Sequence, residues 1–384
     1  MSKKLIFKGL FSITFVIFSL IGKANEPIAN TASSHQVSTT NIPAPAASAE
    51  THATTGDEHH AAKDEKFDPV SIIMHHIADA NEFHIIGNTS LPLPVIIYNK
   101  DSKSWFATMS SAFHSHHGEG EVEVQGYKMS HSRVHPADGS HNFIDFSITK
   151  NVFAMFLGLA ILFVVFFLVK KAYSSRPLTT PKGFQGFMEP LFQFIAHDLA
   201  RQNIGKNYLK FTPFLVCVFF FILINNLLGL IPIFPGSANV SGNISFTLVL
   251  AFFSFIMINV FAKKDYWSHI FNMPGVPKAL LIILTPIEIL GIFIKPIALL
   301  LRLFGNITGG HIAILSIASM VFILGEVGKN AGGAIGGGII AVPLLIFVNA
   351  MELFVAFLQA YVFTLLTSIF IGIAQEEHSH AEHH

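Results

Sequence analysis

Two apolar stretches near the C-terminal end, residues 279–325 and 335–373, are separated only by "EVGKNAGG" and one alanine. Drawn as one continuous helix, the first would be about 70 Å long at a rise of about 1.5 Å per residue. The hydrocarbon core of a bilayer is only about 30 Å thick. An upright helix would leave much of that apolar length in water. Each stretch must therefore lie steeply oblique or bend, and other protein must shield it. The short polar link predicts a hairpin of two long tilted helices.

The rest of the chain fits the same solvent. It is 51% hydrophobic and 12% charged over 384 residues, with 39 phenylalanines, whereas soluble globular proteins carry about 25% charged residues. Three more spans read as 151–169, 211–234 and 244–262. The expected fold class is an all-α polytopic membrane protein of about five membrane helices. The lone cysteine, Cys217, excludes an intrachain disulfide framework and a cysteine metal site. Lys170, Lys171, Arg176, Lys182, Arg201, Lys206 and Lys210 lie between the first two spans, and the loop 235–243 holds no Lys or Arg. By the positive-inside rule the first span runs from outside to inside, and five crossings leave the C-terminus in the cytoplasm.

Upstream, "MSKK", an apolar run and "GKA" ending at Ala24 read as an export signal over 1–24. Residues 25–66 are rich in Ala, Ser, Thr, Pro and His without periodicity and are expected to be disordered. Residues 67–145 are expected to form a small extracytoplasmic domain. In it "FDPVSIIMHHIADANEFHII" could hold a short helix, and "LPVIIYN", "SWFATM" and "NFIDFSI" read as strands. Thirteen of the 20 histidines fall between His35 and His141, in spacings that match no defined metal site. Residues 146–377 make the membrane domain, and 378–384 a histidine-rich tail.

Polar groups inside the long hairpin carry the functional signal. Glu288, Lys295 and Arg302 recur every seven residues, a spacing that drifts only about 20° around a helix. Asn306 extends that stripe, while His311 points the other way. On the second helix Asn349, Glu352 and Gln359 share a stripe. A fold-back at residues 329–332 sets Arg302 level with Gln359 and His311 level with Glu352. Asn225, Asn226, Asn259 and Asn349 read most simply as helix–helix hydrogen bonds. Lys295 reads equally well as a structural or a snorkelling group. Arg302, His311 and Glu352 lie too deep for that, and buried ionisable groups mark ion paths.

At "KPIALLLRLFGNITGGH" and "FVAFLQAYVFTLLTSIFI" the chain resembles subunit a of the F-type ATP synthase membrane sector. "NNLLGLIP", "GNISFTLVLAF" and "PIEILGIFIKP" extend the likeness over residues 150 to 377. The resemblance implies a stator with two proton half-channels beside a rotating ring of c subunits, and no nucleotide chemistry on this chain. It makes Arg302 the ring-facing arginine and Gln359 the glutamine opposite. Glu352 and His311 go to the outer half-channel and Glu288 to the cytoplasmic one. Asn226, with Asn306 and Lys295, lines the path. Many bacterial members have the acid at position 311 and the imidazole at 352, so the pair is exchanged here. Implied partners are the c ring, the peripheral-stalk b subunits, the remaining synthase subunits and the lipid bilayer. No cofactor, metal or nucleic acid is implied. The implied location is the bacterial inner membrane, with the N-terminal part periplasmic. Residues 1–145 lie outside the family pattern.

Two other readings compete. A secondary transporter with an intramembrane charged site should show inverted repeats, and none is visible. A receptor or assembly protein acting through its exported part would leave both polar stripes unexplained.

Overall fold

The computed structural model describes Val70, Ile73 and residues 78–376, apart from 87–88, 114–121, 131–132, 138–141, 176–181, 232–233, 235, 237, 274–275 and 326–328. The export signal, the segment 25–66, most of the histidine-rich stretches and the tail 378–384 lie outside the described residues.

Residues 82–145 are mostly strand. β1 (Glu82–Ile86) and β2 (Thr89–Pro92) make an antiparallel hairpin. β3 (Pro94–Asn99) is the centre of a three-stranded antiparallel sheet, between β4 (Ser104–Met109) and β7 (Phe143–Asp145). β5 (Tyr127–Ser130) and β6 (Arg133–Pro136) form a second hairpin. Val95 and Ile97 of β3 are fully buried with Phe113, Tyr127 and Val134. Ile96, on the opposite face, is half-buried, the alternation that a one-sided sheet demands. The three strands expected at "LPVIIYN", "SWFATM" and "NFIDFSI" are present. Val70 and Ile73 are helical, within the stretch expected to hold a short helix, and the end of that stretch, "EFHII", is strand β1: Phe83 turns inward onto Phe153 and Phe234, with ring centroids 5.6 and 5.5 Å away.

The membrane part begins with α1 (Lys150–Ser175). Its first N–H groups are satisfied from the β domain: the Lys150 amide donates to the Ala80 carbonyl at 2.8 Å and the Asn151 amide to Asp79 Oδ1 at 3.2 Å. Helix starts leave such donors without intrahelical partners and favour an anion. Arg133 Nη2 meets the other Asp79 oxygen at 3.1 Å, tying β6 to the same point.

Between the first two expected spans lies further helix. α2 (Phe184–Gln193) continues as a π-helical segment, Phe194–Arg201, and ends in α3 (Gln202–Ile204). Ile195, Leu199 and Ala200 are buried against the bundle while Arg201 is exposed, so the charges occupy the outer side of an amphipathic helix. Gly205, at φ +72°, turns the chain into the next helix, α4 (Tyr208–Leu230). α5 (Ile244–Val260) starts at Asn243, whose side chain accepts from the Ser245 amide at 3.0 Å. α6 (Lys264–Phe271) bends 97° away from α5.

The long hairpin is α7 (Lys278–Leu324, 47 residues) and α8 (Ala331–Gln375, 45 residues). The turn is shorter than expected, because α8 already includes the glycines from Gly332 to Gly338. Asn330 opens α8 by accepting from the Gly333 amide at 2.9 Å. Glycine is poor in helices, but here it permits close approach: a Cβ on Gly337 would lie 3.1 Å from Leu324 and 3.4 Å from Val321 of α7. Among the described residues four helical segments are long and apolar enough to cross a membrane, or five if the bent α5–α6 pair counts as one.

The bundle core gathers Phe211, Leu215, Phe219 and Ile222 of α4, Leu299 and Leu303 of α7, and Phe363 and Ile371 of α8. At the other end of α8, Ser368 donates to the Leu199 carbonyl at 2.9 Å, and the Ala374 carbonyl accepts from the Lys263 amide at 2.9 Å. These bonds join α8 to the π segment and to the α5–α6 bend.

Candidate functional site: an acid–histidine pair and an exposed arginine

The hairpin register is set by close contact. Gly310 of α7 meets Glu352 of α8 so tightly that a Cβ at 310 would lie 2.7 Å from Oε1. His311 therefore faces Glu352, with Nε2 4.0 Å from Oε1. The Glu352 side chain is only 4% exposed and that of His311 20%. Neither Glu352 carboxyl oxygen accepts a hydrogen bond among the described residues.

Asn226 of α4 fixes the roof of this site. Its amide donates to the Ala356 carbonyl of α8 at 3.2 Å, and its Oδ1 accepts from Ser241 Oγ at 2.5 Å. Gly229, one helical turn further, brings α4 close to both the Ala238 carbonyl and the imidazole, at 3.3 and 3.9 Å from its would-be Cβ. Asn225, Asn226, Asn239, Ser241, His311 and Glu352 together line one recess. Sequence reasoning missed Asn239, Ser241 and Gly310. The signal for the first two was the density of Asn and Ser in "SANVSGN".

The other predicted residues separate. Arg302 and Asn306 are exposed on the hairpin surface, and Arg302 forms no hydrogen bond or ion pair among the described residues. Gln359 is 2% exposed, on the packed side of α8. Hydrogen bonding does not join Arg302 to Gln359 among the described residues. Glu288 is half-buried. Lys295 holds its ammonium 5.4 Å from the Phe370 ring and 6.0 Å from that of Tyr266, a cation–π setting.

An ionisable pair is thus enclosed between the two long helices, and a guanidinium without a partner among the described residues lies open further along α7. Ion-translocating membrane proteins have this combination of groups. The model for the ATP synthase A chain matches residues 152–372. ATP synthase subunit a of Chlorobium phaeobacteroides (strain DSM 266) is 35% identical over 98% of this chain and 95% of that protein. ATP synthase subunit a 2 of Chlorobaculum tepidum is 36% identical over 100% and 95%. ATP synthase subunit a of Pelodictyon phaeoclathratiforme is 44% identical over 62% and 69%. The chain belongs to the ATP synthase subunit a family. It is a multi-pass membrane protein with the role of proton-translocating stator subunit, working within a larger complex.

The segment before 150 is not peculiar to this chain. The Chlorobium and Chlorobaculum proteins align with it almost end to end, and a separate model for a domain of unknown function matches residues 72–152.

Proposed function

We propose that Arg302 faces a rotating ring of c subunits and divides two half-channels, an outer one at His311 and Glu352 and a cytoplasmic one at Glu288. The observation that carries this is the exposure of Arg302. A charge exposed on an apolar membrane helix, with no partner among the described residues, calls for a partner from outside the chain, because lipid will not solvate it. Exposed Leu301, Ile297 and Ile294 surround it on α7, the surface a hydrophobic ring subunit would cover.

Position along α7 supports the division. His311 lies nine residues beyond Arg302, about 14 Å of helix, and Glu288 fourteen residues before it, about 21 Å. An arginine keeps its charge at any working pH. It therefore favours the ionised ring carboxylate and repels a proton trying to pass directly between the channels. Ions must then cross by rotation of the ring. Gln359 lies inside the hairpin near this level as a lining group, and Asn226 and Asn306 line the path. Lys295, over Tyr266 and Phe370, is a structural cation on the cytoplasmic branch.

The orientation follows from the charge pattern: the β domain outside, in the periplasm, and the C-terminus in the cytoplasm. Residues 1–24 serve as a removable export signal, followed by a polar segment to 66, the β domain to 145, the membrane domain to 377 and a short tail. The b subunits hold this stator in place. Crosslinking tests the ring assignment. In a Cys217→Ser background, a cysteine at Asn306 should couple to a small hydrophobic subunit in the assembled complex. Coupling only from cysteines on the α4 side of the hairpin would overturn it.

A further inference from the structure

Two recesses open on either side of Val240. The inner one holds the Glu352–His311 pair. The outer one, with about 320 Å³ of empty space including open solvent, is lined by Asp79, Asn151, Asn243 and Ser245. Val240 borders both and is itself 2% exposed. Asp79 comes from the β domain and the other three from α1 and the start of α5, so the outer recess exists only where the two parts meet.

Buried polar atoms without hydrogen-bond partners follow the same line. Asn151 Oδ1 borders the outer recess; Asn239 Nδ2, Asn225 Oδ1 and both Glu352 oxygens border the inner one. Asn81, fully buried beside Asp79, has neither side-chain polar atom bonded among the described residues. Leaving such atoms unserved is costly, and native proteins meet them with ordered water. Unserved polar atoms thus belong to residues lining both recesses.

The seam is built to stay in place. Asp79 joins the start of α1 to Arg133 of β6, while Phe83, Leu93, Met155, Ala238, Val240 and Phe246 pack as one apolar cluster across it. We propose that the β domain forms the outer mouth of the proton path: water and protons enter between Asp79 and the 238–246 segment, and pass Val240 to reach Glu352. Asp79 is a positioning residue there, and Val240 is the constriction. This rests on the reading of Glu352 and His311 as the outer half-channel.

Proton pumping in vesicles holding the assembled complex tests it, with assembly checked by co-purification and Cys217→Ser as parent. Val240→Cys is close in size to the native residue. Silver ion, a thiol-seeking cation small enough for a water path, should cut its pumping by at least about tenfold relative to the parent, as expected when a proton relay is blocked. Ala154→Cys, in the same apolar cluster at 1% exposure but bordering neither recess, should stay insensitive. Val240→Trp should block pumping without silver. A Glu352→Gln arm separates the two readings. If Glu352→Gln stops pumping while silver spares Val240→Cys and Val240→Trp pumps normally, the mouth lies elsewhere and the proposal fails alone. Normal pumping by Glu352→Gln would remove both.

Discussion

His311 Nε2 and Glu352 Oε1 stand 4.0 Å apart across the α7–α8 hairpin, beneath a roof formed by Asn226 and Ser241. One group is an acid and the other a base, and the backbones on both sides hold them level. As a proton relay the pair would require one of each, not a particular side. His311→Glu and Glu352→His should each lower proton pumping by at least about tenfold, the scale of a lost proton relay. The double exchange should recover most of it. Pumping by the double variant no better than by either single one would mean the residues act separately.

Gly310 offers a finer probe of the same pair. A methyl at this position would lie 2.7 Å from Glu352 Oε1, so Gly310→Ala must push the carboxyl aside. Pumping should fall severalfold while the complex still assembles. Gly338→Ala, which meets nothing within 4 Å, should leave pumping unchanged. Equal effects from both would show that helix propensity, not the carboxyl, is being measured.

Register can be checked without any transport assay. In a Cys217→Ser background, His311→Cys with Glu352→Cys should form a disulfide on mild oxidation. A partner shifted by seven residues along α8, about 10 Å, should not, because a disulfide spans Cα atoms only about 4.4–6.8 Å apart. Arg302→Cys with Gln359→Cys should crosslink less readily than the first pair, since Arg302 is exposed and Gln359 buried. Crosslinking only in the shifted pair would contradict the hairpin geometry.

Gly372 tests how α8 is fixed at its far end. A Cβ there would run into the Asn203 carbonyl, which is backbone and cannot swing away. Overpacking of this kind costs about 1–3 kcal/mol. Gly372→Ala should lower the thermal stability of the purified complex, with the loss centred on the contact between α3 and α8. Unchanged melting would mean the helices shift at no cost.

The hairpin was legible because apolar length and a seven-residue polar spacing are local properties. His311 and Glu352 were legible as a pair for the same reason: a short turn fixes what lies level. Sequence reading failed where local and tertiary demands diverge. Gly332 and Gly333 look like part of the link, yet they belong to α8, where α7 approaches closely. Lysines and arginines between the first two spans were read only for orientation, whereas Ile195 and Leu199 show the buried stripe of an amphipathic helix. Strand β1 went unread because Phe83 packs on residues far away in the chain. The seam at Val240, made by three distant segments, left no local pattern to read.

The central claim is that the exposed charge of Arg302 couples ion passage to rotation. ATP-driven pumping and passive proton permeability of Arg302→Ala should be measured together in vesicles, with assembly verified independently. No coupled pumping and a raised passive leak are expected, because the barrier between the half-channels would be gone. Arg302→Lys should rescue poorly, since an ammonium in a low-dielectric setting can lose its proton. Normal coupled pumping by an assembled Arg302→Ala complex would contradict the account.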